Sequence, residues 1–525
     1  MIGLLRRLGE RFSDLSEEYI PDPYVIAIVL TFVAVAAALA TGASPQGTMR
    51  AWNGGVWTLL PFMASIAVLL MAGDAIAKSP KFTTQLERLA RIPNSQFTAV
   101  WFVSFVAMTA ALISWAIGLI VGAIMAKRVA YECREKGIPV HYPLLAAAGY
   151  TSLMIYHGGL TSSVGLMMAD SSLIPSAWDA QYREEIPISE TIASTANIVT
   201  TGTLLVVIPV IMGLLHPKTD DVKELPRTVY EEIEAVVEAD GPAAPTEPTP
   251  DPRIATDGGE SGETPVSDES LRPGEDGTAG IEGEADGATD AGPADDRAAD
   301  VGETNDGSAD DERVADRLND SRLIGLSIAL FPAYFVIDAW ILQPGGIGNL
   351  TLNSINALFI TIAVLLWVRP MALVEQMKSS VTNISGVIFQ FPFYAGIAGI
   401  LTGTGLATLI VEFVGGFATP MTWPAIGVIV AGLVNVFIPS GGGQWVAMGP
   451  IMMEITAEMG MDPADAVLIE MLGDQLTNMI QPFWAIPLLA IANLRARDII
   501  GYTTIAMLVG MAIVITWLTV FLAIL

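Results

Sequence analysis

The chain has 525 residues, of which 52% are hydrophobic and only 15% are charged, and its formal net charge is −29. Several apolar runs of about 20 residues are long enough to cross the ~30 Å hydrocarbon core of a bilayer, which excludes an ordinary soluble protein. The single cysteine, Cys133, excludes an intrachain disulfide. The composition predicts a polytopic membrane protein whose partner is the lipid bilayer and not a nucleic acid.

The negative charge is concentrated in one segment, residues 218–320, which contains 31 acidic and eight basic residues. No aromatic residue occurs between Tyr230 and Phe331, so this segment has too little apolar surface to form a packed core. We predict an acidic disordered cytoplasmic linker over residues 217–321. Such acidity suits a salt-rich cytoplasm, and a halophilic source is therefore a hypothesis.

Basic residues orient the predicted membrane spans. Residues 1–20 place Arg6, Arg7 and Arg11 among apolar residues, which predicts a cytoplasmic amphipathic helix. The predicted loop 78–91 is also basic and therefore cytoplasmic by the positive-inside rule, and the C-terminus is predicted outside. Nine spans are predicted, at residues 24–39, 56–77, 143–169, 192–215, 323–342, 350–368, 384–411, 464–492 and 499–525.

Two further apolar stretches have the same charge character at both ends. Residues 97–126 have basic flanks and break at Ser114, whereas residues 423–453 have no basic flank and break at Pro439. A segment that enters and leaves on one side of the membrane is a re-entrant hairpin. We predict one hairpin that enters from the cytoplasm and one that enters from outside.

The same order of elements is predicted twice: two spans, a hairpin, a broken span and a span. The first membrane repeat covers residues 21–216, and the second, inverted repeat covers residues 344–525 after a connecting span at 322–343. The predicted fold class is an all-α polytopic protein of the plasma membrane with two inverted repeats, each with a re-entrant helical hairpin and a broken span. Broken helices that meet at mid-membrane are typical of secondary transporters.

The helix breaks carry the candidate site, because hydrocarbon tolerates unpaired backbone groups only where a break is buried in protein or lines a wet cavity. The break near Pro439 is expected to present backbone N–H groups to a carboxylate at a helix N-terminus. A kink needed only for packing is the alternative. The predicted substrate- and ion-binding residues are Ser114, Trp115, Gly118, His157, Asn435, Ser440, Gly441, Gly442, Gly443, Gln444, Asp474, Gln475, Asn478 and Gln481.

Charge and polarity assign narrower roles. No Lys or Arg lies inside a predicted span, so dipoles, hydroxyls and amides must hold an anion. Asp474 is the one carboxylate that we expect near mid-depth, as a Na⁺ ligand or proton carrier; a Na⁺ site near Asn435 and Asn478 is also predicted. His157 is a candidate proton relay, with a satisfied core hydrogen bond as the alternative. An acyl pocket or core packing is expected for Phe393, Tyr394, Trp445 and Trp484.

Several sequence motifs resemble the short-chain fatty acid transporter family. They are PDP at 21–23, WAIGLIVGA at 115–123, QFPFYAGI at 390–397, PSGGGQW at 439–445 and QPFWAIP at 481–487. That family is similar to the ion transporter superfamily, whose members hold substrate and sodium at two hairpin tips. The resemblance implies symport of butyrate, acetoacetate or related monocarboxylates with Na⁺ or H⁺, and a homodimer.

The chain departs from the pattern of that family at three places. Ser114 precedes Trp115 where Asn is usual, Tyr-His-Gly-Gly at 156–159 replaces Trp-Gly-Gly-Gly, and Asp474 replaces Glu. The substrate and the coupling ion of this chain can therefore differ from those of the family.

Other classes of function remain as alternatives. A carrier for dicarboxylates or amino acids is one, although the absence of buried Arg argues against two carboxylates. An ion channel is another, although inverted repeats with paired breaks fit alternating access better. No metal cluster, nucleophile–base pair or nucleotide-binding loop is visible in the sequence, which predicts neither an enzyme nor a cofactor.

Overall fold

All regular secondary structure in the described part of the chain is helical, which confirms the all-α class. The predicted amphipathic helix at 1–20 and the centre of the predicted linker fall outside the described part. The computed structural model describes residues 23–57, 60–176, 178, 180–217, 222–239 and 314–525.

Twenty α-helices are present in these residues. In chain order, the first nine are α1 Pro23–Ala40, α2 Pro45–Val56, α3 Leu60–Ala77, α4 Pro80–Ala90, α5 Gln96–Ile113, α6 Trp115–Glu135, α7 Tyr142–Tyr150, α8 Ser163–Met168 and α9 Thr195–Leu214. The others are α10 Arg227–Ala239, α11 Val314–Asn319, α12 Arg322–Ile337, α13 Leu352–Trp367, α14 Pro370–Gly403, α15 Leu406–Gly415, α16 Trp423–Phe437, α17 Gly441–Glu458, α18 Pro463–Thr477, α19 Pro482–Ala492 and α20 Ala496–Leu518.

Proline marks many of the helix starts. It occupies one of the first two positions of α2, α4, α7, α14, α16, α18 and α19. Proline is tolerated there because the first N–H groups of a helix have no partner within the helix. Many of the breaks that divide this apolar sequence are therefore encoded locally.

Helices α5 and α6 form a hairpin that turns at a single residue. Ser114 has extended backbone between them, with φ −158° and ψ 132°. Gln96 Nε2 donates a hydrogen bond to the carbonyl of Pro139 at 2.7 Å, and Lys136 Nζ donates to that of Pro93 at 2.9 Å. The start of α5 and the end of α6 therefore lie together.

Helices α16 and α17 form the second hairpin. Trp423 Nε1 at the start of α16 donates to Thr456 Oγ1 near the end of α17 at 2.8 Å. An apolar cavity of about 200 Å³ lies beside these two helices, with Val430 and Met448 among its lining residues. The two predicted hairpin segments thus form helical hairpins.

Glycines allow helices to approach closely where the broken segments pack. Gly122 of α6 and Gly149 of α7 face each other, and a Cβ on Gly149 would lie 2.5 Å from the carbonyl oxygen of Gly122. In the second half, a Cβ on Gly473 of α18 would lie 2.9 Å from the carbonyl oxygen of Val428 in α16. Small residues at such positions let helix backbones touch, as is common in membrane proteins.

The helices pack as two groups. Group 1 comprises α1, α2, α3, α12, α13 and α14, and group 2 comprises α5–α9 and α16–α20. Helices α6 and α17 of group 2 also contact group 1, through α3 and α14. The boundary between the groups is where the candidate site lies.

Several predicted boundaries differ from the observed ones. The predicted span 56–77 is α3 preceded by a further helix, α2, and the predicted loop 78–91 is largely the amphipathic helix α4. The predicted span 384–411 begins and ends further along the chain than α14 does. Polar helix formers after Pro370 extend α14 towards its N-terminus, and Gly405, with φ +75°, separates α14 from α15. Only glycine adopts such a φ readily.

Two helices, α10 and α11, lie within the segment 217–321 that was predicted as linker. Arg134 of α6 places its guanidinium 4.5 Å from the ring centre of Tyr230 in α10, and the Tyr230 hydroxyl donates to Glu135 at 2.7 Å. Val229 is fully buried. Helix α10, which follows α9, therefore packs against the end of the first hairpin.

The apolar helices support a polytopic membrane protein. Five helical stretches of the described residues are long and apolar enough to cross a bilayer: α2 with α3, α5, α9, α12 with its extension to Leu342, and α20 with its extension to Ile524. Helix α12 is the most peripheral of them and exposes Leu323, Leu330 and Phe331 by 71–80%. Such side chains suit contact with lipid.

We expect Gly149→Ala to destabilise the protein, because the methyl group would overlap the backbone of Gly122 and overpacking costs ~1–3 kcal/mol. Gly202→Ala in α9 is the matched control, since a Cβ at Gly202 has nothing within 4 Å. Thermal unfolding of the detergent-solubilised protein compares the two variants. Equal midpoints would contradict the close approach of α6 and α7.

Candidate functional site

Four helix breaks meet at one cavity. They lie at Ser114, at residues 155–162, at residues 438–440 and at residues 478–481. The cavity has a volume of about 50 Å³. It is lined by Phe62, Ile66, Leu70, Trp115, Leu153, Tyr156, Ser163, Phe391, Ser440, Gly441, Gly442, Asn478 and Trp484.

The N-terminus of α17 forms the polar wall of this cavity. Ser440 caps the helix, and its Oγ accepts a hydrogen bond from the backbone N–H of Gly443 at 3.2 Å. Gly441 and Gly442 follow with no side chain between their backbone and the cavity. A helix N-terminus presents free N–H groups and the positive end of the helix dipole, which suits an anion.

Steric constraints require glycine at this helix start. A Cβ on Gly441 would overlap Nε2 of His157, and a Cβ on Gly442 would lie 2.5 Å from Cε1 of Phe62. No residue that lines the cavity is charged. The site therefore offers dipoles, hydroxyls and an amide to a ligand, together with aromatic and aliphatic surface.

Asn435 ties the second hairpin to the break after α18. Its Nδ2 lies 2.9 Å from the carbonyl oxygen of Asp474, from Thr477 Oγ1 and from Asn478 Oδ1. Gln481 Nε2 donates to the carbonyl of Asn435 at 2.8 Å. These amides thus bond to backbone carbonyls at the breaks.

Aromatic residues join the breaks further. The Tyr150 hydroxyl donates to the carbonyls of Asn478 and Gln481 at 2.7 and 2.9 Å. Trp484 Nε1 donates to the carbonyl of Pro439 at 3.0 Å, and the Trp484 ring meets Trp115 edge to face, 5.2 Å between centres. These contacts hold the breaks at Ser114, at residues 438–440 and at residues 478–481 together.

A buried titratable pair lies behind the α17 N-terminus. His157 Nε2 and Asp474 Oδ2 are 3.3 Å apart, and both side chains are fully buried. His157 Nδ1 lies 3.2 Å from Ser162 Oγ, and the His157 backbone N–H donates to Gln475 Oε1 at 3.0 Å. The pair contacts Gly441 and is thus one residue removed from the cavity.

Asp474 is not the one fully buried carboxylate of α18. Glu470, one helical turn earlier in α18, is also 0% exposed. The signal was present in the sequence, because residues four apart share a face of a helix.

The structure divides the predicted site residues into three sets. Trp115, Ser440, Gly441, Gly442 and Asn478 line the cavity. Ser114, His157, Asn435, Gly443, Asp474, Gln475 and Gln481 lie at the breaks or bond to them.

Gly118 and Gln444 form the third set. Gly118 packs against Ala111 within the first hairpin, where a Cβ would lie 2.5 Å from Ala111 Cβ. Gln444 Nε2 donates to the carbonyl of Ala431 at 2.9 Å within the second hairpin. Neither lines the cavity. Packing between the hairpin arms explains Gly118, whereas Gln444 Oε1 is buried without a hydrogen-bond partner.

The apolar wall differs from the one we expected. Of the four aromatic candidates, Trp484 lines the cavity, whereas Trp445 packs against Trp178 elsewhere. Group 1 contributes Phe62, Ile66, Leu70 and Phe391 to this wall. No sequence signal distinguishes these residues from other apolar residues of a membrane span.

Comparisons with known proteins agree over the length of the chain. The sequence pattern of the family described as short chain fatty acid transporter matches residues 4–241 and 297–522. Proteins of Escherichia coli (strain K12) and Haemophilus influenzae, each named as a candidate short-chain fatty acid transporter, are 30% and 28% identical over 524 and 512 residues. The alignments cover 99% and 96% of this chain and 100% and 97% of those relatives.

Two solved structures share the fold at low sequence identity. The YdaH transporter of Alcanivorax borkumensis, described as having an unusual topology, is 13% identical with a TM-score of 0.51, and 95% of this chain and 98% of that chain are covered. MtrF of Neisseria gonorrhoeae, described with a class of antimetabolite efflux pumps, is 11% identical with a TM-score of 0.55, and 98% of both chains is covered.

The family match contains all four helix breaks and every residue that lines the cavity, and between its two segments it leaves out only residues within the predicted linker. The chain therefore belongs to the short-chain fatty acid transporter family, a family of membrane transporters and not of enzymes.

Proposed function

We propose that this protein takes up short-chain monocarboxylates of the butyrate and acetoacetate type by symport with Na⁺ or H⁺. The observation that carries the proposal is the cavity where four helix breaks meet, with the α17 N-terminus on one side and aromatic side chains on the other. The substrate carboxylate contacts Ser440 and the backbone of Gly441 and Gly442. The acyl chain packs against Phe62 and Trp484.

The chemistry of the walls favours a small acid with one carboxylate. No Lys or Arg lines the cavity, so a second carboxylate has no side-chain counter-charge. Dipoles and hydroxyls bind an anion more weakly than a buried Arg pair, which suits a carrier that must release its cargo. Since a second carboxylate has no side-chain counter-charge here, a carrier for dicarboxylates or amino acids is only the second candidate. An ion channel is the third.

Alternating access is the mechanism that we infer. The two halves share an order of long helix, amphipathic helix, helical hairpin, broken helix and long helix, which supports two inverted repeats with re-entrant hairpins. Movement of group 2 against group 1 would open the cavity to each side in turn. Nine spans, a plasma membrane location with the N-terminus inside and the C-terminus outside, and a homodimer belong to the same proposal.

The membrane potential explains why a cation is needed. Moving one anion inward against ~100 mV costs ~2.3 kcal/mol. One cation per anion cancels that cost, and two or more reverse its sign. The buried polar groups at Asn435, Asn478 and Asp474 are the candidates for Na⁺ or H⁺ coupling.

We expect proteoliposomes that contain the protein to accumulate labelled butyrate when a Na⁺ or H⁺ gradient is imposed. The two gradients are applied separately, and acetoacetate, succinate and alanine are compared. Protein-free liposomes give the background, since neutral butyric acid crosses lipid by itself. Absence of uptake above background for every monocarboxylate would overturn the substrate class.

Ser440→Ala is expected to lower butyrate uptake about tenfold, because a hydrogen bond to a charged group is worth ~1.5–3 kcal/mol. Ser44→Ala is the matched control: Ser44 caps α2, where its Oγ accepts from the N–H of Gly47 at 3.1 Å. Each variant loses a cap worth ~0.5–2 kcal/mol. A similar decrease in uptake for both variants, or none for Ser440→Ala, would count against the site.

A further inference from the structure

Glu470 is a fully buried carboxylate without a hydrogen-bond partner. It is 0% exposed, and neither of its side-chain oxygens is hydrogen-bonded. Asp474 lies on the same face of α18; its Oδ2 is 3.3 Å from His157 Nε2, and its Oδ1 has no hydrogen-bond partner. Gln475 Nε2, on the next residue, is likewise buried and has no acceptor. Glu470, Asp474 and His157 form what we call the acidic cluster.

The surroundings of the acidic cluster hold little positive charge. The ring centres of Tyr156 and His157 lie 4.1 Å apart, and Tyr156 is within electrostatic range of both carboxylates. Helices α8 and α16, which pack against α18, contain no titratable residue. None of the titratable residues of α17 and α20 is a hydrogen-bond partner of Glu470. These residues are Glu454, Glu458, Arg497, Asp498 and Tyr502.

Two ionised carboxylates in such a place would lose their hydration and repel each other. Ionisable groups avoid that cost by taking up a proton or a cation. No group of three or more His, Cys, Asp or Glu side chains in the described residues is arranged to hold a metal ion. A hard cation needs several converging oxygens, whereas a proton needs one carboxylate oxygen. The acidic cluster therefore suits a proton.

We propose that Glu470 is a proton-carrying residue of the transport cycle and that the coupling ion is H⁺, an inference that rests on the proposed function. A hydronium ion that reaches the cavity gives its proton to the acidic cluster and leaves as water. The proton moves by way of His157 and Asp474 to an oxygen of Glu470, where the O–H bond forms. The reverse steps release it on the other side of the membrane.

The cavity and the acidic cluster share one wall, and this couples the binding of the proton to the binding of the substrate. Gly441 lines the cavity, and a Cβ on it would overlap His157 Nε2 and lie 2.8 Å from Asp474 Oδ2. A carboxylate bound at the α17 N-terminus is therefore close to the acidic cluster. Repulsion between like charges favours substrate binding when the cluster has taken up its proton, and linkage makes this preference reciprocal.

Infrared difference spectroscopy of the purified protein in lipid tests the proton site without substrate. The wild-type protein is expected to show the carbonyl band of a protonated carboxylic acid that titrates with pH, and Glu470→Gln is expected to lose it. Asp74→Asn is the matched control, because Asp74 is also buried but has Lys78, Ser380 and Gln376 as partners. A titrating band that persists unchanged in Glu470→Gln would overturn the proposal.

Butyrate transport tests the coupling. Counterflow of butyrate, which needs no net proton movement, is expected to continue in Glu470→Gln, whereas accumulation driven by a pH gradient falls at least tenfold. Glu470→Asp is expected to restore part of it, and Asp74→Asn to retain both activities. Wild-type accumulation in Glu470→Gln, or accumulation driven by Na⁺ alone, would overturn proton coupling. A Glu470 band that titrates in a wild-type protein without butyrate transport would refute the proposed function and retain the proton site.

Discussion

A helix that stops within a bilayer must find partners for its last carbonyls and first N–H groups, because hydrocarbon offers none. This protein meets that requirement by making each break the partner of another. Asn435 of the second hairpin donates to the carbonyl of Asp474 near the end of α18 and accepts from Gln481 Nε2, and the Tyr150 hydroxyl donates to the carbonyl of Asn478 from the first half. The breaks must therefore lie together, and the cavity forms where they meet.

The close packing around Gly441 shapes the same site. Gly441 is packed so tightly against His157 and Asp474 that no side chain fits, which leaves the N-terminus of α17 bare on the cavity side. The same contact places a titratable pair directly behind the N–H groups that we propose bind the substrate carboxylate. The cavity and the acidic cluster thus lie on two sides of Gly441, and this arrangement supports the proposed coupling of proton and substrate.

Much of this could be predicted from the sequence. Pro439, Ser440 and the three glycines that follow predicted a break at a helix start, and the structure has the α17 N-cap at Ser440. The turn at Ser114 was predicted by flanking charge and is a one-residue hairpin turn. The ends of α14 were not predicted, because polar helix formers continue a helix beyond the hydrocarbon and a hydropathy pattern records only the apolar part.

The sequence by itself determined the helical class, the positions of the breaks and the absence of Lys and Arg from the spans, because these depend on local propensity and on the cost of burying charge. Only the tertiary structure decided which side chains face the cavity. Phe62 and Phe391 line it from group 1, whereas Phe393 packs against Tyr24 and Trp52. In a span that is apolar on every face, periodicity does not distinguish a ligand-facing side chain from a packed one.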